Sequence, residues 1–186
     1  LFLNFLNRFF IKNNSLISWH ATDKQEYLDI KKYFGNNQKI SIVGNVPLFS
    51  VWDGSILNYS DSIRFITISL IAPKKNHLWF IDSLKRIPVK NKNITYDIYG
   101  PANNEYLNLI QLAIKDLPVN ISINVYPALT PNQVHLTLQK YHYFVLPTFG
   151  ENFGHAIFES FNSGKPVLIS DKTPWRYLID KKSGWD

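Results

Sequence analysis

The sequence predicts an α/β fold, a parallel sheet with helices on both faces, and three observations carry that prediction. From Arg64 onward, short β-rich runs alternate with helical patterns, the order that repeated βα units require. The punctuation agrees: Asn103 and Thr130 stand where helix N-caps belong, Pro131 and Pro174 suit a first helical turn, and Gly164 suits a helix C-terminal cap. Finally, the 186 residues are 45% apolar and 18% charged, which excludes a disordered chain and supplies one good-sized core with a small element attached.

The chain opens with Phe2, Phe5, Leu6, Phe9 and Phe10 at helical spacing, a face suited to packing inside a further domain ahead of lying on a membrane surface. Residues 22–34 read as a helix with Thr22 as N-cap and Gln25 completing a capping box, and 39–43 as a strand. Residues 45–62, with Pro47, Asp53-Gly54 and Asn58, lack sustained periodicity and read as an interdomain connection with its boundary near Pro47. The expected division is therefore 1–47, a linker at 48–63, and a main domain at 64–186. Within that domain, strands over 64–69, 95–99, 121–126, 143–147 and 166–170 alternate with helices over 76–87, 103–117, 131–140, 154–163 and 174–180. These make a Rossmann-like layer. Leu1 is not a natural start, and Gly184-Trp185-Asp186 begins another strand where the sequence stops, so both ends read as cuts.

Composition narrows the chemistry. The net charge of +6, from 20 basic and 14 acidic residues, favours phosphate-bearing ligands, nucleic acid or anionic membrane without choosing among them. The basic residues fall in scattered pairs, such as Lys31-Lys32, Lys74-Lys75 and Lys181-Lys182, and form no aromatic-interleaved stripe, so no nucleic-acid partner is expected. Cysteine is absent, which removes disulfides, thiolate metal sites and cysteine nucleophiles. The glycines form neither G-x-G-x-x-G nor a P-loop, and no G-x-S-x-G turn occurs. His20, His77, His135, His142 and His155 include no i, i+4 pair on one helix and no H-E-x-x-H, so no protein-ligated metal is expected. No apolar run reaches the roughly 20 residues of a membrane span.

The most informative stretch is Leu146-Pro147-Thr148-Phe149-Gly150-Glu151-Asn152-Phe153-Gly154-His155, followed by Ala156-Ile157-Phe158-Glu159. It reads as a strand end, a glycine-bearing turn and a helix start, the place where open α/β sheets bind ligands. Unpaired amides of Phe153, Gly154 and His155 would face outward at the helix N-terminus, where the dipole favours an anion. The missing side chain at Gly154 lets a phosphate approach. Glu159 lies about 7 Å further along the axis and suits a ribose diol, while Glu151 in the turn can accept hydrogen bonds from sugar hydroxyls. Either glutamate alone reads as a helix cap or surface charge, and it is their combination with the glycines and the strand that points to a ligand. His155 reads equally as a ligand contact and as a structural hydrogen-bonding residue.

The segment from Glu151 to Glu159 resembles the signature of the retaining glycosyltransferases of family 4, which have the two-domain GT-B fold. Ser163-Gly164-Lys165-Pro166-Val167-Leu168-Ile169-Ser170-Asp171 and Thr173-Pro174-Trp175 look like its continuation. More weakly, His20-Ala21-Thr22 and Gly44-Asn45-Val46-Pro47 resemble the end of the first, acceptor domain and its linker. The resemblance implies that Glu151 contacts the donor sugar, Glu159 the ribose, and the Phe153 to His155 amides the diphosphate, with Asn152 in the same turn. It further implies an arginine and a lysine on the loop after the second domain's first strand. That loop reads Ser69-Leu70-Ile71-Ala72-Pro73-Lys74-Lys75-Asn76, so Lys75 takes the lysine position with Lys74 beside it, and Leu70 stands where the arginine is expected. The base is expected near Gly100-Pro101 or Tyr126-Pro127, at neighbouring strand ends.

The function this implies is retaining transfer of a sugar from a nucleotide-diphosphate donor to a saccharide or lipid-linked acceptor in surface polysaccharide or glycolipid synthesis. No cofactor beyond the donor is expected, and the expected location is cytoplasmic or peripheral at the cytoplasmic face of the membrane. These 186 residues alone are expected to be inactive, most of the acceptor domain lying outside them. Two alternatives stand: a degenerate module that holds a nucleotide sugar without turning it over, and a sugar-nucleotide isomerase or phosphorylase on the same fold.

Overall fold

The computed structural model describes residues 16–22, 24–44, 52, 54, 57, 61–88 and 92–186. The aromatic opening stretch and most of the 48–63 connection lie outside them. The chain divides into two compact units, Leu1–Val46 and Pro47–Asp186.

In the first unit, strand β1 (Ser18–Ala21), helix α1 (Lys24–Phe34) and strand β2 (Lys39–Ile42) form one βαβ turn, the strands pairing in parallel from Ser18 with Lys39 to Ala21 with Ile42. The Trp19 ring packs on Phe34 with centroids 4.4 Å apart, and its indole N–H donates to Gln38 Oε1 at 2.8 Å, closing the turn. The sequence reading missed β1, whose partner lies beyond a whole helix. It also misplaced the cap. Because the helix begins at Lys24, Glu26 rather than Gln25 faces Thr22, accepting from its amide and its hydroxyl at 2.6 Å each, while Gln25 donates to Asp29 at 3.1 Å.

The second unit is built on β3 (Ser62–Ile68), β4 (Asn93–Tyr99), β5 (Ile121–Tyr126), β6 (Tyr143–Leu146), β7 (Val167–Ile169) and β8 (Gly184–Trp185). They form one sheet in the order β5-β4-β3-β6-β7-β8, every pairing parallel. The connecting helices are α2 (His77–Arg86), α3 (Asn104–Ala113), α4 (Pro131–Leu138) and α5 (His155–Asn162). The order of a doubly wound sheet reverses between β3 and β6, and the loops leaving those two strands flank the crevice that results.

Two apolar clusters cover the two faces. One joins Phe80, Ile81 and Leu84 of α2 and Tyr106 and Ile110 of α3 to Ile94, Tyr96 and Ile98 of β4. The other joins Val134 and Leu138 of α4 and Ile157 of α5 to Ile66, Phe144, Leu146 and Val167. Strand β6 shows the period of two directly, sending Phe144 and Leu146 to one cluster and Val145 to the other. Caps fall where the sequence placed them: Asn103 accepts from the Tyr106 amide at 3.0 Å, Thr130 and Gln133 are reciprocally bonded, and Gly164 ends α5 with φ +65°.

The expected helices at 103–117 and 154–163 are shorter, α3 finishing in a tight turn at Ile114–Asp116. The expected helix at 174–180 does not form. Tyr177 and Lys182 take left-handed φ of 61° and 52°, and the Asp186 carboxylate accepts from the Tyr177 and Leu178 amides at 3.3 and 2.9 Å. The chain there is a series of turns that delivers Gly184 to its pairing with Val167.

Candidate functional site

The loop after β3 is held by its neighbour before it reaches the lysines. The Ser69 amide donates to Tyr99 O at 3.0 Å and the Ile71 amide to Pro101 O at 2.8 Å, while Ile71 O accepts from Asn103 N at 2.9 Å. Ile71 is fully buried, so this loop is pinned at its middle. Pro73–Lys75 then makes one tight helical turn that ends at Asn76, whose φ of 57° redirects the chain into α2. Lys74 and Lys75 are thereby fixed at the carboxyl edge of the sheet.

The loop after β6 meets it there. The Phe149 amide donates to Lys74 O at 2.8 Å, and the Glu151 amide donates to Lys172 O at 3.0 Å. Across 76 residues of sequence, Lys75 Nζ donates to Glu151 Oε1 in a direct ion pair, with side chains only 18% and 14% exposed. The turn has no side chain at Gly150, where Lys74 Cε lies 3.7 Å from the position a Cβ would take. Lys74 therefore lies across the turn.

Gly154 adopts φ +77°, a left-handed conformation that favours glycine, and opens α5. The amides of Phe153, Gly154 and His155 make no hydrogen bond among the described residues. The preceding peptide is oriented by Trp175, whose indole N–H donates to Phe153 O at 2.5 Å and whose ring packs edge-on against Phe153 at 5.4 Å. Glu159 sits one turn into α5, where burial pushes its carboxyl pKa up and His155 pulls it partly back. Asn152 and His155 are exposed.

On the other side of β3, the strand ends of β4 and β5 bring Gly100 and Tyr126 together, the Gly100 amide donating to Tyr126 O at 3.2 Å. The rings of Tyr99 and Tyr126 stack at 4.7 Å with Tyr126 38% exposed, and Pro101 and Pro127 follow. A Cβ at Gly100 would stand 1.8 Å from Ser69 O, so glycine alone permits the close approach of the β3 and β4 ends.

Two cations, free amides and a carboxylate thus share one crevice, an arrangement able to hold an anion and to polarise a polar group beside it. A direct contact joins Lys75 to Glu151. A cavity of about 640 Å³ opens beside Thr148 and Phe149, and one of about 530 Å³ beside Trp175 and Lys181, and neither is lined by Glu151, Lys75 or Glu159. Sequence reasoning gave no role to Thr148, Lys172 or Trp175. Their contributions run through backbone atoms of other loops, which no local pattern announces.

The chain superposes on WaaG, a glycosyltransferase involved in lipopolysaccharide biosynthesis, with a TM-score of 0.73 at 14% identity, over 97% of this chain and 52% of that one. It superposes on an S. aureus TarM variant in complex with fondaparinux, alpha-GlcNAc-glycerol and UDP (TM-score 0.69, 18% identity, 96% of this chain, 35% of that one). Anabaena Alr3699/HepE in complex with UDP-glucose matches at a TM-score of 0.65 and 17% identity, over 86% of this chain and 46% of that one. The chain spans about half the length of WaaG, and these likenesses show the Rossmann-like fold of a GT-B glycosyltransferase half. No curated protein sequence matches it. The family model of the glycosyl transferases group 1 matches residues 50–185, and the chain belongs to that family.

Proposed function

We propose that this chain forms the nucleotide-sugar-binding part of a retaining glycosyltransferase of family 4, which moves a sugar from a nucleotide-diphosphate donor to a saccharide or lipid-linked acceptor in surface polysaccharide or glycolipid synthesis. The observation that carries the reading is the Lys75–Glu151 ion pair at the switch point, beside the Gly154 helix start. Breaking the bond from the anomeric carbon to the diphosphate oxygen leaves negative charge on the diphosphate. Fixed cations and amides stabilise that charge without reorganising, and each 1.4 kcal/mol or so of such stabilisation is worth about tenfold in rate. In this reading Lys75, Lys74 and the Phe153 to His155 amides receive the diphosphate, and Glu151 exchanges its lysine for the donor sugar. Glu159 binds the ribose, and the base lies against Gly100-Pro101 or Tyr126-Pro127. The donor brings the only group needed besides these side chains, so no protein-ligated metal takes part.

The UDP and UDP-glucose bound by the TarM variant and HepE support a nucleoside-diphosphate donor. The test is a thermal-shift panel of nucleotide sugars against the full-length protein, since a ligand that binds only the folded state raises its apparent stability. One nucleotide sugar is expected to shift the wild type and to shift Lys75→Gln by a clearly smaller amount at the same concentration. A flat response to every donor counts against the reading.

One observation favours a second reading. Leu70 stands at the family's arginine position with its side chain 52% exposed, so it contributes neither charge nor core packing. A module that holds the donor without turning it over would tolerate that residue.

A further inference from the structure

We infer that Thr148 is the positioning residue that fixes Lys75 against Glu151 and so sets the affinity of the site for a nucleoside diphosphate, an inference that rests on the donor reading above. Thr148 is 1% exposed, and a hydroxyl that deep must be hydrogen-bonded or cost free energy. Its Oγ1 lies 3.1 Å from both Lys74 O and Gly150 O, donating to one at a time, and accepts from the Gly150 amide at 3.2 Å. Its own carbonyl accepts from Ser170 Oγ at 2.5 Å.

One side chain and its peptide therefore tie together the loops leaving β3, β6 and β7. The first tie ends on the residue before Lys75. The second closes the turn that carries Glu151. The third holds the segment whose Lys172 carbonyl receives the Glu151 amide at 3.0 Å. A lysine side chain loses rotamer entropy on binding, and its pull on a phosphate depends on where its backbone is held. Thr148 holds that backbone. Its hydroxyl is engaged by the backbone of the two loops, so its effect on a ligand passes through the placement of Lys75.

The experiment is calorimetric titration of the full-length protein with UDP, GDP and ADP, in the wild type, Thr148→Val, Thr148→Ser, Lys75→Gln and the Lys75→Gln/Thr148→Val double variant. The tightest nucleoside diphosphate for the wild type is expected to bind roughly tenfold more weakly to Thr148→Val, the loss of about two buried hydrogen bonds, and within about twofold of wild type to Thr148→Ser. In the Lys75→Gln background the valine substitution is expected to weaken binding by less than about twofold, because its effect runs through Lys75. Wild-type affinity in a folded Thr148→Val overturns the inference and leaves the donor reading standing. So does a valine effect of equal size in both backgrounds, which would mark general loosening. If Thr148→Val does not fold, Ser170→Ala serves in its place, with roughly threefold weakening expected and no change overturning the inference. No nucleoside diphosphate bound by the wild type overturns the donor reading and this inference with it.

Discussion

His77 opens α2 with 0% exposure, its Nε2 3.3 Å from Ser69 Oγ and its Nδ1 without a hydrogen-bond partner among the described residues. Burial, with Lys75 adding repulsion, pushes its pKa down from 6.5 to about 4. Between those two values the unfolded chain carries a proton on this ring and the folded chain does not, so stability is full above pH 6.5 and falls as the pH drops toward 4. At roughly 1.4 kcal/mol for each pH unit of that window, His77 accounts for a loss of about 3 kcal/mol, a large part of a typical domain's stability. The assay is urea unfolding of the full-length protein and of His77→Phe, followed by tryptophan fluorescence over the same pH range. Other groups titrate in both proteins, so the difference between the two curves isolates the imidazole. The wild type is expected to lose about 3 kcal/mol more than the variant, most of it below pH 6. Parallel curves would refute the reasoning, because they would mean that the ring is solvated or partnered in the folded state.

Two further predictions concern the same crevice. Gly100→Ala sets a Cβ against the Ser69 carbonyl at 1.8 Å, where only backbone movement relieves the clash, whereas Gly44→Ala meets nothing within 4 Å. The first is expected to cost roughly 3 kcal/mol or more in urea unfolding and the second less than about 0.5, and equal costs would contradict the close approach of the β3 and β4 ends. Leu70→Arg in the full-length protein separates the two functional readings. If Lys74 and Lys75 already serve the diphosphate, the rate of transfer changes less than about threefold, and a gain of tenfold or more at unchanged donor affinity favours the binding module.

How much of this was legible in the sequence depended on how far each residue's partner lay along the chain. Strand β5 occurs where its pattern placed it, and Asn103, Thr130 and Gly164 cap their helices, because a cap is satisfied within three or four residues of itself. Thr22 shows the limit of that locality: the helix starts at Lys24, one residue later than a cap at Thr22 implies, and Glu26 takes the partner position read for Gln25. The false helix at 174–180 fails for the opposite reason. Trp175, Leu178 and Ile179 have helical spacing, but the amides of Tyr177 and Leu178 are claimed by Asp186 and the Trp175 indole by Phe153 O, none of which a window on those residues reveals.

The site divides in the same way. Gly154 and the glutamates could be read locally, since a glycine before a helix and a carboxylate one turn in are features of one segment. The meeting of Lys75 with Glu151 follows only once β3 and β6 are known to be neighbours, as the parallel register of Phe65 with Tyr143 establishes. Thr148 and Trp175 act on carbonyl oxygens of distant loops, and a carbonyl carries no residue signature.

The most direct measurement is a crystal structure of the full-length protein with a nucleoside diphosphate bound. The account predicts the terminal phosphate within hydrogen-bonding distance of the Gly154 and His155 amides and of Lys75 Nζ, with the Lys75–Glu151 pair opened and the ribose hydroxyls on Glu159. A diphosphate seated elsewhere, with Lys75 and Glu151 still paired, would contradict it.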